Sequence, residues 1–217
     1  MKPKVLLAIP TLGSVKDQCI ISVIRALGHY GNCKLAIRAG KPIDHNRNVM
    51  VQENFLGSDA DYLMFVDSDV VIPETTISDL MALDKPVAAG VYLLGKLSPA
   101  GEISFSYACG DFSGDPDNPL SVYTGGLPRE PFKTELFNAG CSLVRRDVFE
   151  KMPKPWYLHH YLNTDTLLRM HEDGWFCKQL KELNIEAWTH PGVYCDHIHE
   201  MNMNPVALAI QETTYET

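Results

Sequence analysis

No hydrophobic stretch of this chain approaches the ~18–20 residues that a membrane-spanning helix requires, although apolar residues fill 45% of its 217 positions. Paired cysteines are missing too. Six are scattered at 19, 33, 109, 141, 177 and 195, without a CxxC pair or a zinc-knuckle spacing, which argues for reduced core thiols in a cytoplasmic protein. Basic residues are scarce: 19 Lys and Arg against 27 Asp and Glu leave a net charge of −8. That balance argues against nucleic acid as a partner, since such binding rests on basic contacts with phosphate. Internal repeats and low-complexity segments are also missing. The N-terminus is basic and then apolar, but Val5–Ile9 is shorter than a secretory signal core and no small-residue cleavage site follows it, so the segment reads as a first strand.

What is present is an alternation of strand and helix signals. After Val5–Ile9, apolar residues at Val15, Cys19, Ile20, Val23, Ile24 and Leu27 have helical spacing. Lys34–Ile37 reads as a strand, Asn46–Leu56 as a helix, Tyr62–Val66 as a buried strand, Glu74–Leu83 as a helix and Val87–Tyr92 as a strand. Such an order implies βαβ units and a mostly parallel sheet. The stretch from Gly110 to Pro131 is dense in Gly, Pro, Asp and Asn and reads as a loop or lid. Beyond it, Phe137–Val144 reads as a strand broken at Gly140, Arg146–Lys151 as a short helix, Glu172–Leu183 as a longer one, Ile185–Trp188 as a strand and 201–217 as a polar tail.

Four groups of residues could carry chemistry. Tyr62–Val66 runs straight into Asp67-Ser68-Asp69, placing two carboxylates at a strand end, where ligands of open α/β sheets collect. They either form an Asx turn or face one hard cation. Glu172-Asp173 heads a helix, where acids commonly answer the helix dipole, yet either could take a proton from a hydroxyl. His190, His197 and His199 lie within ten residues, and one imidazole joined to carboxylates suits manganese, though spacing does not choose between 197 and 199. Arg47-Asn48 at a helix start is a cap or a phosphate site.

In order along the chain these pieces resemble the GT-A glycosyltransferases, especially the inverting members of family 2. The resemblance covers Lys4 to His199. It is carried by Ala8-Ile9-Pro10-Thr11, Arg47-Asn48, Asp61–Asp69, Asn138–Glu150 with its central Gly140, Glu172–Cys177, and a histidine six residues after Pro191. It implies a Rossmann-like GT-A fold over 1–217, with a nucleotide-binding half (1–95), an acceptor and catalytic half (96–200) and a tail (201–217). The implied activity is transfer of a sugar from a nucleotide-diphosphate sugar, UDP- or GDP-linked, to an acceptor hydroxyl with inversion, assisted by Mn2+ or Mg2+. The resemblance implies Asp173 as base with Glu172 orienting the acceptor, and Asp67, Asp69 and His197 as metal ligands. Pro10, Thr11, Arg47, Asn48, Asp67, Ser68 and Gly140 are implied to contact the sugar nucleotide. The alternatives are a retaining transferase on the same fold, a nucleotidyltransferase, or a non-enzymatic carbohydrate-binding protein. A nucleotidyltransferase would carry a glycine-rich loop after the first strand, where this chain has Gly13 alone. Where a strand-end aspartate is expected after Lys34–Ile37, the chain has Arg38.

Overall fold

The computed structural model describes residues 2–97, 102–115, 120–163 and 168–198; the tail from 201 and His199 lie outside them. The first half runs β1 (Val5–Pro10), α1 (Asp17–Tyr30), β2 (Cys33–Arg38), α2 (Ile43–Val49), β3 (Tyr62–Val66), β4 (Val70–Val71), α3 (Thr76–Ala82) and β5 (Val87–Val91). Next come β6 (Leu93–Leu97), β7 (Ile103–Tyr107), β8 (Cys109–Phe112), β9 (Leu120–Val122), β10 (Phe132–Thr134) and β11 (Leu136–Phe137). The chain continues through β12 (Cys141–Arg145), α4 (Arg146–Lys151), β13 (His160–Asn163), β14 (Leu168–Met170), α5 (Glu172–Glu182), β15 (Ala187–Tyr194) and β16 (Asp196–His197).

A seven-stranded sheet in the order β10-β15-β5-β12-β3-β1-β2 forms the centre. Side chains alternate across it with the period of two that extended backbone imposes. On β1, Leu6 and Ala8 join one core with Phe65, Phe149, Trp156, Tyr157 and Phe176. Val5, Leu7 and Ile9 join the other, packed with Cys19, Val23 and Ala26 of α1 and Ile77 and Leu80 of α3. Both faces of the sheet are therefore covered, which is why its inner strands read as continuous apolar runs.

The sheet is mixed, not mostly parallel as the alternation implies. β1 pairs in parallel with β2 and β3, and β5 with β15. However, β12 runs antiparallel to both β3 and β5, and β10 antiparallel to β15. The cause lies in the connection. After β5 the chain makes its excursion through β6–β11 and re-enters where β3 ends, with the Asp67 amide donating to the Gly140 carbonyl at 3.0 Å. Without a crossover back to the other end of the sheet, the next strand must run the opposite way.

Two further expectations are corrected here. The 110–131 segment is not simply a loop: β8 pairs with β9 and with β11 in a small antiparallel sheet. Its strands leave Ser121 and Val122 exposed, so the apolar periodicity that signals a strand is weak. The helix expected over Asn46–Leu56 begins earlier, at Ile43, and passes at Met50–Phe55 into a π-helical turn. Arg146 closes that turn, donating to the carbonyls of Phe55 (3.0 Å), Ser58 (2.8 Å) and Ala60 (2.8 Å).

Candidate functional site

β3 delivers Asp67 to the carboxyl end of the sheet, and the Val70 amide donates to its carbonyl at 3.1 Å, turning Asp67-Ser68-Asp69 across that end. The chain then forms β4, against which β16 pairs with His197 opposite Val70. The Ile198 amide donates to the Asp69 carbonyl at 2.9 Å. This two-strand ladder sets His197 Nε2 3.6 Å from Asp69 Oδ2, although the residues are far apart in sequence. Burial alone would lower the His197 pKa, but the hydrogen bond and charge of Asp69 raise it above the usual value. His190, on β15, lies apart from this pair in an internal contact: the Gly192 amide donates to its Nδ1 at 3.1 Å.

Arg47 occupies the centre of the site and is 1% exposed. Its Nη2 donates to Asp67 Oδ1 at 2.6 Å and its Nε to Glu172 Oε1 at 3.3 Å. The guanidinium lies over the rings of Phe65 (4.9 Å) and Tyr157 (5.6 Å). α2 begins four residues earlier, at Ile43, so Arg47 is not at the positive helix end where the sequence pattern places it. It tethers the strand-end acid to the acid heading α5 and has little surface left for phosphate.

Glu172 and Asp173 occupy the first turn of α5, after His171 as N-cap. Burial first, and the adjacent Glu172 charge second, push the Asp173 carboxyl up to about 7, with Arg47 opposing. Burial likewise raises Asp67, again against Arg47. A carboxyl held near neutrality beside a cleft is suited to take a proton at physiological pH.

The cleft itself is a cavity of about 490 Å³ between Pro10–Ser14 and Ile43 on one side and Asp67, Ser68, Asp69 and Glu172 on the other. Asp173 lies beside this cavity, not on its wall. Thr11 is buried and shapes the loop: its hydroxyl donates to the Ser14 carbonyl (2.6 Å) and accepts from the Gly13 amide (3.2 Å). Asn48, expected beside the donor, is committed elsewhere. Its amide donates to the Tyr157 carbonyl at 2.6 Å and accepts from the Trp156 amide at 3.0 Å, lining a different cavity. Gly140 is also not an open approach for a sugar. A Cβ there would lie 2.5 Å from the Tyr92 hydroxyl and 2.7 Å from Asp67 Oδ2, so the glycine makes room for those two groups.

No family model matches the chain, and no curated protein matches it in sequence. Solved structures do. A197 from STIV superposes with a TM-score of 0.62 at 15% identity, over 91% of this chain and 86% of that one. The crystal structure of GalNAc-T7 with UDP, GalNAc and Mn2+ superposes with a TM-score of 0.60 at 12% identity, over 92% of this chain. The fold is glycosyltransferase-like. The likeness is one of fold alone, and this chain spans 44% of the GalNAc-T7 chain's length.

Within this glycosyltransferase-like fold, the donor set fits a divalent ion. Asp69 and His197 present oxygen and nitrogen across 3.6 Å, a mixed pair that suits manganese better than calcium. Charge supports the fit, because Asp67, Glu172 and Asp173 all bear on Arg47 and Asp69 adds its charge beside Asp67. A diphosphate entering that acidic end needs a cation between itself and the carboxylates. Three participants escaped sequence reasoning. Tyr92 directly follows β5 and its ring tilts against that of His197 with 5.0 Å between centroids, while Tyr157 and His159 flank Arg47 and Glu172. A tyrosine at the carboxyl end of a predicted strand was a usable signal for the first; nothing local marks the other two.

Proposed function

We propose that the chain is a metal-assisted glycosyltransferase that moves a sugar from a nucleoside-diphosphate sugar to an acceptor hydroxyl with inversion. One observation supports this reading: Asp67, Asp69 and Glu172 line one cleft, buried Arg47 joins Asp67 to Glu172, and His197 lies 3.6 Å from Asp69. The ligands named with GalNAc-T7, a nucleoside diphosphate, a sugar and Mn2+, are of the classes this cleft would take.

The donor occupies the cavity along Pro10, Thr11 and Ser68. Asp69 and His197 would hold the ion, and Asp67, oriented by Arg47, would serve the ribose or the ion. When bound, the ion neutralises charge that develops on the diphosphate as it leaves. Asp173 accepts the proton of the acceptor hydroxyl as that oxygen bonds to the anomeric carbon. The bond from that carbon to the diphosphate oxygen breaks, and its electron pair departs with the diphosphate. Glu172, fastened by Arg47, orients the acceptor. Inversion follows from attack opposite the leaving group with Asp173 as the base; in a retaining course the departing diphosphate oxygen, on the same face, would take the acceptor's proton instead.

The test is nucleotide release from UDP- and GDP-sugars with Mn2+ and simple hydroxyl acceptors, with the product anomer read by NMR. Release that depends on Asp173 and yields an inverted anomer supports the reading. If no sugar nucleotide turns over and neither UDP nor GDP binds with Mn2+, the reading fails.

A further inference from the structure

Glu172 has a second oxygen that Arg47 does not claim. Its Oε2 lies 3.6 Å from His159 Nε2, and His159 and His171 pack ring to ring at 5.7 Å between centroids. One ligand atom from each of His159, His171 and Glu172 can be chosen so that all lie within 4.8 Å of one another. We propose that these three residues form a second metal site, separate from Asp69 and His197, that takes a borderline transition ion such as Zn2+.

The backbone builds this group. In the β13–β14 hairpin His160 pairs with Met170, so the same antiparallel register carried one step outward sets His159 opposite His171. Opposed side chains on such a pair stand about 4.5–5.5 Å apart at Cβ. His171 is also the N-cap of α5, which puts Glu172 next in line. Continued by one residue, the register places the two Cβ atoms opposite each other, and the side-chain torsions then set where the rings meet.

Chemistry selects the ion. Two neutral imidazoles and one carboxylate match zinc, whose bonds of about 2.0–2.2 Å leave a fourth position for water or a ligand when three protein groups bind it. Magnesium prefers an all-oxygen shell and is disfavoured. Tetrahedral ligands sit about 3.4 Å apart at those bond lengths, so exposed His171 swings inward by roughly an ångström. Among the described residues His159 Nδ1 is buried without a hydrogen-bond partner, so no described group competes for that nitrogen. The carboxylates of Glu172, Asp173 and Asp67 against one guanidinium make the surroundings attractive to a cation. An ion here holds Glu172 through Oε2 while Arg47 holds Oε1.

The inference rests on the side-chain cluster and the hairpin register; it shares Glu172 with the proposed transfer site, but its test reads metal binding and needs no glycosyl transfer. Its test starts from the full chain carrying Asp69→Ala and His197→Ala, which removes the other metal pair. Calorimetry with ZnCl2 should still show one equivalent bound, and CoCl2 should give the visible absorption of a four-coordinate ion. Adding His171→Ala or His159→Ala should weaken zinc binding at least about tenfold. On the unaltered chain, ring-nitrogen NMR signals of His159 and His171 should move when zinc is added, a readout that needs no variant to fold. Absence of zinc binding in the doubly substituted chain, unchanged affinity in His171→Ala, or unmoved ring signals would each overturn the assignment.

Discussion

In the proposed mechanism Asp173 sets the pH behaviour of transfer. With its carboxyl pushed up to about 7, the deprotonated base accumulates only as pH rises through neutrality, so kcat should climb along an acid limb centred near pH 7. Asp173→Asn should lower kcat by about 10²–10⁴-fold while the Kd for UDP or GDP with Mn2+, measured by calorimetry, stays within a factor of two or so. Stability runs the other way. A carboxyl raised from 3.8 to about 7 on folding contributes stability that is full below about pH 4 and is lost as pH climbs through 7. In chelator-treated protein Tm should therefore fall between pH 5 and 8, and fall less in Asp173→Asn. Arg47 bears on both acids at once: Arg47→Met should cost about 3–5 kcal/mol by urea unfolding, because it strands Asp67 and Glu172 without their cation. The presence of Arg47 and both acid motifs is readable from residue order. That Arg47 turns inward to join them is not, because its partner Glu172 lies 125 positions away and no local pattern encodes that distance.

Among the elements, those with strong local signals match their sequence signatures. β3 and α4 have the expected ends, since a buried apolar run and a short amphipathic turn before Pro153 and Pro155 are self-announcing. Elements made by pairing are less legible. The β4–β16 ladder is two residues long on each side, too short for periodicity, yet it is what brings His197 to Asp69. The β8–β9 pair lies hidden under a turn-like composition. Gly140 marks the break between β11 and β12, and its reason is space. Gly140→Ala should cost about 1–3 kcal/mol and displace Asp67, weakening Mn2+-dependent nucleotide binding. Adding Tyr92→Phe, which removes one of the two clashing oxygens, should recover part of the stability in a chemical-denaturation series. Full stability in Gly140→Ala alone would show that the junction is looser than these distances imply.

At the scale of the molecule, ligand linkage offers the broadest check. A nucleoside diphosphate with Mn2+ at 100 times its Kd should stabilise the fold by about 2.7 kcal/mol, a Tm rise of roughly 5–10 °C for a chain of this size. The rise should vanish without metal and in Asp69→Ala. Among the described residues no helix is long and apolar enough to cross a membrane, as the short hydrophobic runs imply. Local sequence sufficed for the α/β alternation, the buried strand that ends in two acids, and the order of the motifs, because periodicity, apolar run length and turn composition act over a few residues. Tertiary structure alone decided that β12 runs backwards, that Arg47 points inward between Asp67 and Glu172, and that a β4–β16 ladder is what sets His197 beside Asp69, two residues that the family resemblance had already joined. Those outcomes depend on where the chain re-enters the sheet and which distant strands pair, and contacts across a hundred residues leave no trace in local pattern.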